Sequence, residues 1–137
     1  MAKIPFEVPV LSIMAIDGDT FSMLLDLGFG VRYSVHGRLE GVDSPEKNTD
    51  AGKLVRQVSE TWAAKSVSLR WRSTQLDKFG RSLGHLLHAN SRERLSDYLI
   101  SKGLARQYSG EKRQEWSVDE LGIVERHAHA VLTNAAQ

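Results

Sequence analysis

Phe21, Met23, Leu25 and Leu27 alternate with the polar Ser22 and Asp26, and beyond the turn "GFG" the residues Val31, Tyr33 and Val35 alternate with Arg32, Ser34 and His36. Successive side chains on a strand point to opposite faces, so this period of two calls for strands with one buried face. Residues 6 to 16 precede them as a run rich in Val, Ile, Leu and Phe with Pro9 inside, which suits an edge or bulged strand rather than a central one. The tight turn "DGD" links that run to Phe21, and the third strand is expected to continue towards Val42 until Asp43-Ser44-Pro45 ends it. The N-terminal third is thus a three-stranded meander.

The period then changes. From Ala51 to Ser66 the apolar residues Val55, Val58 and Trp62 recur at helical spacing, with Asp50 or Thr49 as the cap. Val67, Leu69 and Trp71 alternate with Ser68, Arg70 and Arg72, and Leu83 to Leu87 forms a fifth extended run across the turn "DKFGR". In "ANSRERLSDYLISKG" an Asn90 cap, Glu93 three residues on, Leu95 and Leu99 on one face and Gly103 beyond the end predict a short helix. Ser117 and Glu120 form a capping-box pattern ahead of Leu121, Val124, Ala128 and Val131, a last helix whose end frays. The order β-β-β-α-β-β-α-α is that of an α+β protein built on a five-stranded OB-type Greek-key barrel with three α-helices, a fold whose outer face commonly binds oligonucleotides.

Composition bounds the rest. A chain of 137 residues, 41% hydrophobic and 26% charged, can bury one core, and we expect one domain over residues 1–137. Within it the barrel would occupy about residues 4–90 and the C-terminal helices about residues 91–134. A formal charge of +1 means that a polyanion has to be held by a local patch. Without cysteine there is no disulfide scaffold and no thiolate metal site. "VPVLSIMAI" is too short to span a bilayer and lacks the layout of a secretion signal, so no membrane association is expected and the location expected is cytoplasmic, unless a leader has been removed. His127 and His129, two apart on a helix, point to different sides, and His85 and His88 fall on opposite faces of a regular strand; neither pair makes a metal site.

Charged residues of both signs gather at element ends instead. "IDGDTF", "RLEGVDSPE", "DKFGRSLGHL" and "LISKGLARQY" follow one another in this order, each at a predicted strand or helix end. Singly, each is a good turn. Together, from about Met14 to about Tyr108, they resemble the staphylococcal nuclease (thermonuclease-like) family. That resemblance implies a calcium-dependent phosphodiesterase that cuts DNA and RNA with little sequence preference. Separately, we expect single strands to be preferred and the protein to act as a monomer. The resemblance assigns Asp19 and Asp43 to the metal, with Ser44 offering a backbone carbonyl where the family usually has threonine. Glu46 is matched to the residue that activates or orients water, and Arg38 and Arg81 to the arginines that hold the scissile phosphate. Lys78, Phe79, Arg106 and Tyr108 become contacts for the nucleic-acid strand.

The chemistry is consistent with these roles. Ca2+ is a hard cation that takes oxygen ligands, and it removes the repulsion that clustered carboxylates would exert on a phosphodiester. Guanidiniums suit the equatorial oxygens of a five-coordinate phosphorus. One geometric condition follows: Arg38 and Asp43, five residues apart, face opposite sides of a regular strand, so the strand has to bend, with Gly41 as the bulge position and Pro45 as the stop. Phe79 replaces a tyrosine of the staphylococcal enzyme, leaving ring stacking only, and "KNTDAG" is a shorter link than that enzyme's loop. The competing expectation is a non-catalytic OB-fold module that binds nucleic acid without cutting it.

Overall fold

The computed structural model describes residues 6–76 and 79–135. Five strands close into a barrel in the order β1, β2, β3, β6, β5: β1 (Phe6–Asp17), β2 (Thr20–Gly28), β3 (Val31–Leu39), β5 (Leu69–Leu76) and β6 (Ser82–His88). All their pairings are antiparallel except β3 with β6. A two-residue β4 (Val42–Asp43) pairs with β7 (Arg106–Gln107) at the barrel's rim, and three helices complete the chain: α1 (Asp50–Ala64), α2 (Leu95–Ser101) and α3 (Val118–Ala135). The expected OB-type α+β architecture is the one observed.

The alternating residues do what their spacing requires. Phe21, Met23 and Leu25 are buried inside the barrel with Trp71 and Leu86, while Val55, Val58 and Trp62 turn the inner face of α1 onto the same core. Pro9 lies where β1 pairs with β5 but before its ladder with β2 begins at Val10, and the register with β2 then shifts between Val10 and Ser12. The strand is central to the barrel as a whole, and the proline is tolerated at a locally unpaired margin.

Two expectations change. Helix α2 starts at Leu95, with Arg94 as a cap that makes no side-chain bond, and not after Asn90. Residues that could have formed its first turn are engaged elsewhere: the His88 N–H donates to the Glu93 carbonyl, Leu87 bridges Arg94, and the Trp62 indole donates to the Glu93 carboxylate. The run towards Val42 is also broken, because β3 stops at Leu39 and the chain turns through Glu40 and Gly41 before β4. Gly41 has φ +84°, the left-handed region that glycine enters without a Cβ penalty. The other capping expectations hold: Thr49 Oγ1 accepts the Gly52 N–H, and Ser117 and Glu120 bond each other's N–H groups reciprocally at 2.9 and 3.1 Å.

Candidate functional site

The barrel register sets the first pair of site residues. Thr20 is the cross-strand partner of Arg38, so Asp19, one residue earlier, meets the end of β3, where the Leu39 N–H donates to the Asp19 carbonyl at 2.9 Å. Just before Arg38 stands Gly37, where a Cβ would come within 2.8 Å of the Trp71 ring and 2.4 Å of the Met23 methyl; the glycine lets β3 lie flat on the core. The turn at Gly41 then folds β4 back, and Arg38 Nη1 donates to the carbonyls of Leu39 and Val42, each at 3.1 Å. The bend required by the spacing of Arg38 and Asp43 is therefore this turn, clasped by the arginine itself.

Asp19 and Asp43 consequently share one guanidinium. Arg38 stands 3.5 Å from Asp19 Oδ2 and 3.6 Å from Asp43 Oδ1, with all three side chains buried. Asp19 also accepts from the Ser44 backbone N–H and from Thr20 Oγ1, both at 2.9 Å. Asp17 adjoins the group: burial first, then the Asp19 carboxylate, push its carboxyl above the ordinary value, opposed by the Lys47 N–H it accepts at 2.8 Å.

The pairing of β4 with β7 places Arg106 opposite Asp43, and its Nη2 reaches Asp43 Oδ2 at 3.4 Å. Arg106 lies over the Trp116 ring at 4.1 Å, donates to the Gln114 carbonyl and stands 3.6 Å from Glu120. From the segment between β7 and α3 come two more donors. Arg113 contacts Asp43 Oδ1 through Nη2 at 2.7 Å and Nε at 2.9 Å, and the Trp116 indole donates to Asp43 Oδ2 at 3.3 Å. Asp43 is thus 1% exposed and surrounded by three guanidiniums and an indole. The same Arg113 Nη2 reaches Glu46 Oε1 at 2.9 Å and so ties the half-exposed Glu46 to the cluster. Burial disfavours the charge on Arg113, but Asp43, Glu46 and Asp19 together outweigh it and hold its pKa above the ordinary guanidinium value.

The remaining expected residues are placed as follows. Arg81 opens the approach to β6, its guanidinium 5.5 Å from the ring centroid of Phe79, which is strongly exposed. Among the described residues the arginines on Asp43 are Arg38, Arg106 and Arg113. Tyr108 is half-buried, donates its hydroxyl to the Glu111 carbonyl at 2.6 Å and borders, with Arg38 and Gly41, a pocket of about 380 Å³. Lys78 lies outside the described residues. Arg113 and Trp116 were not anticipated; their only sequence signal is a basic and aromatic stretch, "GEKRQEW", immediately ahead of the α3 capping box.

The donors suit a divalent cation in kind. Asp19 and Asp43 are buried oxygen donors on one guanidinium, and Ser44 Oγ, also buried, has no hydrogen-bond partner among the described residues. No three carboxylate or imidazole groups among the described residues are gathered closely enough to hold a metal, and Arg113 bridges Asp43 and Glu46. The family model described as staphylococcal nuclease homologue matches residues 37–134. That match takes in Arg38, Asp43, Glu46, Arg113 and the whole cluster of donors from the C-terminal segment, and Asp19 precedes it. No curated protein was found to match the chain.

Proposed function

The chain belongs to the staphylococcal nuclease homologue family, and from that premise we propose that it is a calcium-dependent nuclease hydrolysing phosphodiester bonds of DNA and RNA with low sequence specificity. The observation that carries this reading is the buried Asp19–Arg38–Asp43 cluster with Glu46 joined at its edge. Burying two carboxylates costs several kcal/mol each unless they are compensated, roughly as for any ion taken out of water. A module that only tracked a phosphate backbone would gain nothing from that arrangement.

Asp19 and Asp43, with Ser44 beside them, would hold the cation, which when bound polarises the phosphate and offsets its charge. The chain's own groups do the rest. Arg38 is held by two carbonyls and two carboxylates, so its permanent positive charge stays fixed at the cluster as negative charge develops on the phosphoryl oxygens. Glu46, half-exposed beside the pocket that it shares with Asn48, Thr49 and Trp116, accepts a proton from water or aligns that water. Its backbone is anchored because its carbonyl accepts from Thr49 N–H at 3.0 Å and Thr49 Oγ1 at 2.7 Å. Arg81 would hold the scissile phosphate together with Arg38, and the exposed Phe79 ring, Lys78 and Tyr108 would meet the strand; Arg106 acts from inside, as a partner of Asp43.

The test is to incubate purified protein with labelled single-stranded DNA or RNA, with calcium or with a chelator, and to resolve the products on a gel. Calcium-dependent shortening that falls by about 10²–10⁴-fold in Glu46→Gln supports hydrolysis. Intact but retarded strands would replace it with the alternative of a non-catalytic nucleic-acid-binding module.

A further inference from the structure

Arg113 stands where a cation joining Asp43 to Glu46 would stand, and it belongs to the chain. We propose that it is a built-in counter-cation, a latch that holds these two carboxylates together and has to leave before a divalent ion can use them. The inference rests on the cation-dependent reading above and adds to it a residue that gates the ion's entry.

Charge makes the competition unavoidable. The connected cluster contains the carboxylates of Asp19, Asp43, Glu46 and Glu120 and the guanidiniums of Arg38, Arg106 and Arg113, so all but one of its formal negative charges are balanced from within the chain. A divalent ion approaching so nearly balanced a cluster gains little attraction, and Asp43 already has donors on both oxygens. One guanidinium has to withdraw. Arg38 cannot do so cheaply, since it is buried and bonded to two backbone carbonyls. Arg106 is stacked on Trp116 and bonded to Gln114. Arg113 is different: its side chain is 44% exposed, and the contacts described for it are the two carboxylates alone.

The backbone that carries it is not part of a helix or a sheet. Residues 108–117, between β7 and α3, form no regular element and are mostly exposed. The pocket of about 380 Å³ bordered by Glu46, Asn48, Arg113 and Trp116 gives the side chain room to swing outwards. Arg113 is therefore a positioning residue, acting through Asp43 and Glu46.

Calorimetric titration of calcium chloride into the full chain tests this without reference to activity. Arg113→Ala and Arg113→Gln should bind about tenfold more tightly than the unaltered chain, the equivalent of one charge-assisted pair removed from competition. Lys112→Ala removes the same charge one residue away and should change affinity by less than about twofold. Circular dichroism of each variant checks that the barrel remains folded, and Gln keeps a polar side chain if Ala disturbs the loop. Affinity in both Arg113 variants equal to or weaker than that of Lys112→Ala overturns the latch while leaving the cation site intact. No uptake by any form overturns both readings. Tighter uptake in the variants without strand cleavage by the unaltered chain keeps the latch and removes the hydrolase.

Discussion

Two glycines in helices should respond to the same substitution with opposite signs. In α1, Gly52 lies in the first turn, and a Cβ placed there would come 1.8 Å from the Glu46 carbonyl oxygen, 2.4 Å from its carbon and 2.9 Å from the Pro45 carbonyl oxygen. In α3, a Cβ on Gly122 would meet nothing within 4 Å. Alanine stabilises a helix interior by about 0.5–1 kcal/mol relative to glycine, so Gly122→Ala should gain that amount. Gly52→Ala gains the same propensity but forces backbone, not a flexible side-chain tip, to retreat by more than about 1 Å, and overpacking of that kind costs about 1–3 kcal/mol. The retreating Glu46 carbonyl also strains the two bonds it accepts from Thr49, each contributing about 0.5–1.5 kcal/mol. The net expectation is a loss of about 2 kcal/mol.

Thermal unfolding followed by circular dichroism should place Gly122→Ala about 2–5 °C above the unaltered chain and Gly52→Ala about 6–10 °C below it. Because the carbonyl that moves belongs to Glu46, Gly52→Ala should also lower turnover in the proposed nuclease reaction even at temperatures where it is fully folded. A Gly52→Ala protein as stable as Gly122→Ala would refute the close approach of α1 to the Glu46 turn, and with it the anchoring proposed for that carboxylate.

Other outcomes follow from single contacts. Glu7 is bonded by Arg92 and Arg70, which overcome its burial and hold its pKa at about 2 instead of 4.5. Its stabilisation is therefore complete above about pH 4.5 and disappears as pH falls towards 2; Glu7→Gln should cost about 1–2 kcal/mol at pH 7, after discounting for solvent screening, with the gap closing in acid urea titrations. Ser59→Ala deletes a buried 2.8 Å bond to the Gly18 carbonyl, next to Asp19, and should cost about 1–3 kcal/mol in urea unfolding. Ser117→Ala opens the capping box and should cost about 1 kcal/mol, with faster amide exchange confined to the first turn of α3.

Much of the barrel was legible because its signals are local. The alternation from Phe21 to Val35, the helical spacing of Val55, Val58 and Trp62, and the Ser117–Glu120 box each depend on neighbours within a few residues, and each element forms where that pattern lies. Asn90 misled for the opposite reason: a locally good cap was overridden by the long-range bond from Trp62 to Glu93. The separation of Arg38 from Asp43 likewise announced a bend, and Gly41 supplies it.

The amino-acid order by itself thus determined most of the elements, their order and the positions of Asp19, Arg38, Asp43 and Glu46 near strand ends. Only the tertiary structure decided which cations meet those carboxylates. Arg113 is 70 residues from Asp43 along the chain and joins it because β7 pairs with β4 and carries the following loop over the barrel's rim. Periodicity reports the face a side chain takes on its own element, whereas an ion pair forms between whichever charges folding brings within a few ångströms, and that distance is set by the packing of the whole chain.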